Sequence, residues 1–415
     1  MWTWLTQTAQ TATWRTLARI ALKGGALFIA ANLLFALFDP LPLIGQLSLY
    51  NSLVRGRARL PYGENPAQSY NLSLANIEAL FAAHALHGAP KAPDEYRVLL
   101  IGDSAVWGVL LAPDETLSGY LNAFRLILPD GRRVRAFNLG YPVQSAAKDL
   151  LLLDHAARYQ PDLIIWLLTP ESLALDVQMA TQLVRENPER VRALIARHAL
   201  RSLRADDPRF AAPDLLGRTI IGRRRQLADW LRLQAYALPW HISGVDQQYP
   251  RFYEPRMEDF PDDMPQTWHG KPPPTLAAED LALELLDAGA QIAQAAGAAL
   301  LVINEPVFIS AGRNSGMRYN FFYPRWALDQ ARARLREASD GAAWAYRDLW
   351  NAIPAQHFTD SAVHLTPQGS RQLAELVARA IIELSGEANA QAAQPCAFQN
   401  LCYNARQIAG VWRSW

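Results

Sequence analysis

The sequence predicts an α/β protein: a parallel sheet with helices on both faces, carried by an N-terminal transmembrane helix and interrupted by a mainly helical insertion. Three observations predict it. Five short apolar runs alternate with helical stretches between residues 95 and 385, the pattern of a parallel sheet with crossover helices. Residues 20–38, IALKGGALFIAANLLFALF, are apolar apart from Lys23 and nearly as long as the ~20 residues that cross a bilayer. Finally, the third and fourth apolar runs stand far apart, well beyond an ordinary α/β connection, so residues 172–275 form an insertion with structure of its own.

Composition narrows the class. The chain has 415 residues, half of them hydrophobic, which is enough for a full core and more than one domain. Forty basic residues balance 39 acidic ones for a net charge of +1, which argues against a dedicated nucleic-acid binder. Cys396 and Cys402 are the only cysteines. They exclude a Cys-rich metal framework and leave either two free thiols or one small disulfide loop.

Residues 1–38 read as a short cytoplasmic stub and an anchor. Arg15 and Arg19 precede the apolar stretch, Lys23 can snorkel to the interface, and Trp2, Trp4 and Trp14 suit the headgroup region. This places the N-terminus inside and the rest of the chain outside the cytoplasmic membrane, against the opposing pull of Arg55, Arg57 and Arg59. With no small-x-small cleavage site following, an uncleaved anchor is favoured over a signal peptide; a buried core helix is the alternative.

Residues 39–94 form a connector rich in Pro, Gly and Asn, then a helix predicted over 72–88 and stopped by Gly and Pro. The strand candidates are 97–102, 133–140, 162–168, 298–304 and 343–349. The insertion between the third and fourth is helical at first and Pro- and Asp-rich later. Its arginines can face a membrane or an anionic polymer, or simply clothe a solvated lid. A polar tail, 386–415, carries the cysteines.

The first strand runs into IGDSAVWG, residues 101–108. A serine opening a helix at the carboxyl end of a strand lies where backbone N–H groups converge, and such donors can hold an oxyanion. Serine is also a common helix cap, so position alone leaves Ser104 open between nucleophile and cap. A nucleophile needs a base. Among eight histidines, His364 follows the last strand and precedes the last helix, which returns it to the edge that holds Ser104. Asp360, four residues earlier, can orient its ring. His357 is the competing base. Tryptophans and the YNFFYPRW segment, 319–326, suit either packing or an aromatic sugar-binding surface.

IGDSAVWG, the Asn138–Gly140 stretch NLG, and DSAVHLTPQG resemble, in order and position, the blocks of the SGNH or GDSL-type hydrolases. The resemblance covers roughly residues 95–385, with the insertion unmatched. It implies a flavodoxin-like three-layer α/β/α sandwich with five parallel strands, Ser104 as nucleophile, His364 as base and a carboxylate behind it. It also implies an oxyanion hole built from the Ser104 and Gly140 amides. No metal or organic cofactor is implied. Two blocks depart from the pattern. Where the family's third block offers an asparagine donor this chain has LTPES, with Pro170 at the asparagine position; Thr169 or Asn304 is then the candidate replacement. The family acid usually sits three residues before the histidine, where this chain has Ser361. Glu305 and Trp107 are candidate substrate contacts.

The function expected is a membrane-anchored, extracytoplasmic serine esterase acting on acyl esters. Two alternatives stand beside it. One is an O-acyltransferase or acyl carrier that modifies cell-envelope polysaccharide with a multi-pass membrane acyltransferase as partner. The other is a catalytically silent scaffold or polysaccharide-binding component on the same fold.

Overall fold

A computed structural model describes residues 14–392 apart from 53–55, 66–69, 72–74, 209–212 and 244–252. Trp2, Trp4, Cys396 and Cys402 therefore lie outside the described residues, and with them the question of a disulfide.

Five strands form one parallel sheet: β1 (Glu95–Ile101), β2 (Arg133–Asn138), β3 (Leu163–Leu168), β4 (Ala299–Asn304) and β5 (Ala345–Asp348). Their spatial order is β2-β1-β3-β4-β5. Each is within a few residues of its sequence-based position. The helices used below are α1 (Trp14–Phe38), α2 (Ser104–Trp107), α3 (Leu117–Ala123), α4 (Ala146–Ala156), α5 (Arg224–Ser243), α6 (Glu284–Ala295), α7 (Arg325–Ser339) and α8 (Pro367–Ala392), with the Pro188–His198 helix and shorter helical segments between them.

Strand periodicity splits the core into two layers. Leu99, Ile101, Ile164, Trp166 and Val302 face α4, α6 and α7, whereas Val98, Leu100, Ile165, Leu167 and Ile303 face α3 and α8. A strand buried on both faces reads as an unbroken apolar run rather than an alternation. LIIWLL of β3 is buried at every position for that reason.

The strand order reverses beside β1, because β2 lies on one side and β3 on the other. In open α/β sheets that reversal opens a crevice at the carboxyl ends of the strands. Ser104 stands directly after β1, at that crevice.

Two expectations need adjusting. The apolar N-terminal helix runs over Trp14–Phe38 and so takes in Arg15 and Arg19 ahead of residue 20. Residues 72–74 of the helix expected over 72–88 lie outside the described residues, and among the described ones the helix covers Ile77–Ala82, with Asn76 as its cap. Beyond it the backbone turns to pair with Arg57: Arg57 N–H donates to Ala83 O at 3.0 Å and Ala85 N–H to Arg57 O at 2.8 Å. The insertion is helical over Gln182–Arg185, Pro188–His198, Leu215–Arg218 and α5, then irregular. Its chain returns where Ala282 N–H donates to Leu173 O at 2.8 Å.

The central strand has no slack on either face. Ile165→Ala is expected to destabilise the protein by about 2–5 kcal/mol, read as a fall in denaturant midpoint with an unchanged slope.

Candidate active site

The turn that presents Ser104 is set by close backbone approach. A Cβ on Gly102 would lie 2.5 Å from Leu167 O and 2.6 Å from a Val106 methyl, so only glycine lets β1 end against β3. Asp103 caps α2 by accepting from Ala105 N–H at 2.8 Å. Gly108, at φ +87°, ends the helix one turn later in a left-handed conformation. The loop after β2 is pressed onto the same short helix. A Cβ on Gly140 would meet Trp107 N at 2.4 Å. Asn138 holds the contact, donating from Nδ2 to Val106 O at 2.7 Å and accepting from Gly140 N–H at 3.0 Å.

Ser104, His364 and Asp360 stand in one hydrogen-bonded line. His364 Nε2 is 2.9 Å from Ser104 Oγ, and His364 Nδ1 is 2.8 Å from Asp360 Oδ1. The four-residue spacing closes because Thr359 N–H donates to His364 O at 2.9 Å, pinching the loop so that Asp360 turns back under the ring. The Thr359 hydroxyl is also 3.1 Å from Asp360 Oδ1. Burial pushes the Asp360 carboxyl up, but the His364 hydrogen bond and charge, with Thr359, outweigh it and hold the group below its ordinary value. His357 is elsewhere, buried with its Cβ facing Gly369 and its Nε2 3.4 Å from Gln372.

The remaining sequence candidates divide. The Ser104 amide has no acceptor among the described residues, whereas Gly140 N–H is already shared with Asn138. Asn304 is fully buried, and its amide donates to Asp348 Oδ1 at 2.8 Å across the β4–β5 pair, so it serves the sheet and not an oxyanion. Thr169 is fully buried too, with its hydroxyl 3.2 Å from Gln144 Nε2. Trp107 and Glu305 are not substrate-facing. Trp107 is 2% exposed, donates from Nε1 to Leu60 O at 2.8 Å and lies under the Arg59 guanidinium. Glu305 is 1% exposed. Arg59, Leu60 and Tyr62 pack over Trp107.

Three groups escaped sequence reasoning. Gln144, half-buried in the loop after β2, brings a side-chain amide to the loop after β3. Lys148 is fully buried and donates from Nζ to Gly102 O at 2.9 Å and Tyr141 O at 2.5 Å, with Asp149 Oδ1 at 2.6 Å. His269, from the insertion, lies between Glu171 at 2.8 Å and Asp176 at 2.7 Å. Burial lowers its pKa, but the two carboxylates win and raise it to about 9. A lysine in an apolar helix and a histidine in a Pro-rich stretch carry no sequence signal of such partners.

Beneath the serine turn lie three buried carboxyls, Asp103, Asp149 and Glu305, with one ammonium, Lys148. Burial, then the Asp103 and Asp149 charges, push Glu305 well above its ordinary value. Burial, opposed by Lys148, raises Asp149 to about 6. If all were ionised, Asp103 Oδ2 and Glu305 Oε1 would lack partners; a proton on Glu305 supplies the donor to Asp103.

Beside the triad, Phe321, Phe322, Arg256, Met257 and Phe308 join Asp360 and Ser361 around a cavity of about 200 Å³. Of the 319–326 aromatic segment, Phe321 alone is strongly exposed, at 54%. Tyr319, Tyr323 and Trp326 are packed, with hydrogen bonds to Asp329, Glu171 N–H and Gln266 O.

No protein-family model and no curated protein matches the sequence. Solved structures do align with it. A GDSL-like lipase from Bacteroides thetaiotaomicron is 11% identical, over 75% of this chain and all of that one, with a TM-score of 0.35. A lipase/acylhydrolase from Enterococcus faecalis is 14% identical, over 69% and 96% of the two chains, at 0.33. An acetylxylan esterase from Geobacillus stearothermophilus is 11% identical, over 68% and 93%, at 0.32.

A raised carboxyl pKa makes folding weaker as pH rises: its stabilisation is complete below the unfolded value of about 4.3 and is lost progressively above it. Glu305→Gln keeps a donor for Asp103 and cannot ionise. The variant is therefore expected to gain stability relative to the native chain as pH rises from 5 to 8, followed by urea denaturation at each pH. A pH-independent difference would refute the protonated Glu305.

Proposed function

We propose that the chain is a membrane-anchored serine esterase, with its catalytic domain on the extracytoplasmic side. The observation that carries the chemistry is the Ser104–His364–Asp360 line at 2.9 and 2.8 Å. Ser104 Oγ attacks the ester carbonyl as His364 Nε2 takes its proton, and Asp360 holds Nδ1–H and stabilises the imidazolium that forms. His364 then returns the proton to the leaving alcohol, and water deacylates Ser104 by the same route.

The oxyanion reading starts from the unshared Ser104 amide, with Gly140 N–H turning partly from Asn138 as charge develops. Gln144 supplies the side-chain amide that Pro170 removes from the third block. The anchor reading is supported by α1 itself, whose apolar Leu17, Ile20, Leu27, Phe28 and Ile29 are exposed. Apolar side chains in such number outside a core require lipid or another covering surface.

A second reading, acyl transfer to a carbohydrate hydroxyl, draws on the Phe321- and Phe322-walled cavity beside Asp360, which suits an acceptor ring. A multi-pass acyltransferase partner belongs to that reading. Hydrolysis and transfer share the acyl-Ser104 intermediate and differ in what attacks it.

Turnover of short p-nitrophenyl esters by the full chain in detergent is expected to fall at least about a thousandfold in Ser104→Ala, with fluorophosphonate labelling abolished. No turnover and no labelling in the native chain would make a silent scaffold the better reading, and turnover that survives in Ser104→Ala would remove Ser104 as the nucleophile. Gln144→Ala is expected to lower kcat about a hundredfold with little change in KM, as for removal of one oxyanion donor. Adding oligosaccharide acceptors to the active protein and following acylated sugar by mass spectrometry separates transferase from hydrolase.

A further inference from the structure

α1 leaves the body of the protein early. Between Trp14 and Ala31 its side chains are exposed apart from the half-exposed Thr16, and only Asn32, Phe35 and Ala36 pack, at helical spacing on one face. What they meet is the insertion. Asn32 Oδ1 accepts from Ile221 N–H at 3.3 Å, while its Nδ2 donates to Phe28 O at 2.9 Å. Asn32 stands six residues before the end of α1, so the contact lies about 9 Å along the axis from Phe38. The insertion thus reaches beside the anchor before the anchor ends.

From Ile221 the chain enters α5, whose two faces differ in an unusual way. Gln226, Asp229, Leu233 and Ala237 are buried. The opposite face, Ala228, Leu231, Ala235, Leu238 and Ile242, is a single exposed stripe of apolar residues at i, i+3, i+7, i+10 and i+14. Leu231, Leu238 and Ile242 are each more than half exposed, as are Leu215, Leu216 and Ile221 just before them. A surface helix with a buried face presents charge on the other; this one presents leucine and isoleucine. Charge is gathered at its start: residues 214–243 carry five arginines against two aspartates. Further along, Trp230 Nε1 and Gln234 Nε2 donate to Leu47 O at 3.2 and 3.3 Å, and Leu49 N–H donates to Gln234 Oε1 at 2.8 Å. The arm from Leu215 to Ser243 is therefore tied to α1 through Ile221 and to the segment just after α1 through Trp230 and Gln234. Exposed Leu37, Phe38, Leu43 and Leu47 extend the apolar surface between them.

We propose that the Leu215–Ser243 arm is a second membrane contact, lying in the headgroup region of the bilayer that α1 spans. Leu216, Leu231, Leu238 and Ile242 enter the acyl boundary, and Arg218, Arg224 and Arg232 meet anionic headgroups. The occupant is the bilayer and not a protein because the stripe is continuous with the anchor's own exposed apolar surface, and because its basic border complements anionic lipid. The consequence is orientation. Two contacts on one membrane fix how the serine crevice faces the surface, where a single helix would leave the domain free to swing.

The proposal rests on α1 being an anchor, so the test carries that control. In the full chain with Cys396→Ser and Cys402→Ser, single cysteines replace Leu27, Leu231, Leu238, Ile242 or the exposed Glu375 of α8, and each is labelled with an environment-sensitive fluorophore. The protein is reconstituted into phosphatidylcholine–phosphatidylglycerol vesicles containing nitroxide lipids. Labels at 231, 238 and 242 are expected to shift to the blue and to be quenched at least about half as strongly as the label at 27, given their shallower depth. The label at 375 is expected to show neither change. Quenching at 27 with 231, 238 and 242 behaving like 375 overturns the proposal and leaves the anchor standing. A blue shift at 238 and 242 without quenching overturns it too, since protein then covers the stripe. No quenching at 27 removes the anchor, and the arm's contact then stands or falls on quenching at 231, 238 and 242 alone.

Discussion

The buried ammonium of Lys148 is the constraint on which the site depends. It sits where no water reaches, and its Nζ grips two carbonyls, Gly102 O immediately before the serine turn and Tyr141 O in the loop after β2. An unpaired charge in that position would be prohibitive, and a carboxylate beside it is the usual remedy. Here Asp149 is that partner. The same cation moderates the repulsion among Asp103, Asp149 and Glu305, so one residue both ties two loops together and permits the polar floor under Ser104. The glycines complete the arrangement. With Gly102 against Leu167 O and Gly140 against Trp107 N, three strand ends converge with no side chain between them.

Much of this architecture was legible in the sequence. The inner strands β3 and β4 and the second half of β1 are apolar runs rich in leucine, isoleucine and valine, and a parallel sheet covered on both faces leaves that signature whatever its helices do. The insertion announced itself by length. That Ser104, His364 and Asp360 meet was also readable, because the topology brings strand ends one and five to a common edge. What escaped was everything decided by burial at that edge. Glu305 and Trp107 looked like substrate contacts and are buried. Asn304 looked like a donor for substrate and is committed to Asp348. Lys148, Gln144 and His269 looked like ordinary helix and loop residues, and only three-dimensional proximity gives them partners. The helix expected over 72–88 failed for a related reason: pairing with Arg57, distant in sequence, overrode local periodicity.

The insertion has two attachments that serve different ends. Its later part latches onto the sheet's carboxyl edge through His269, held between Glu171 and Asp176, with Trp268 Nε1 donating to Glu171 at 3.1 Å. Its earlier part packs on the Leu41–Ser52 region and the end of α1. A segment grafted between β3 and β4 therefore packs at one end beside the strand ends near Ser104 and at the other against the N-terminal helix.

Asp360 is the most exposed member of the triad, its side chain 33% accessible against 14% for His364. A carboxylate in that setting keeps part of its hydration, while the His364 ring lies 2.8 Å away, well inside the ~10 Å Debye length of a 0.1 M salt solution. Water and not salt therefore sets how strongly the two groups act on each other: drying the opening over Asp360 would tighten the pair, whereas a change of ionic strength would leave it nearly as it is.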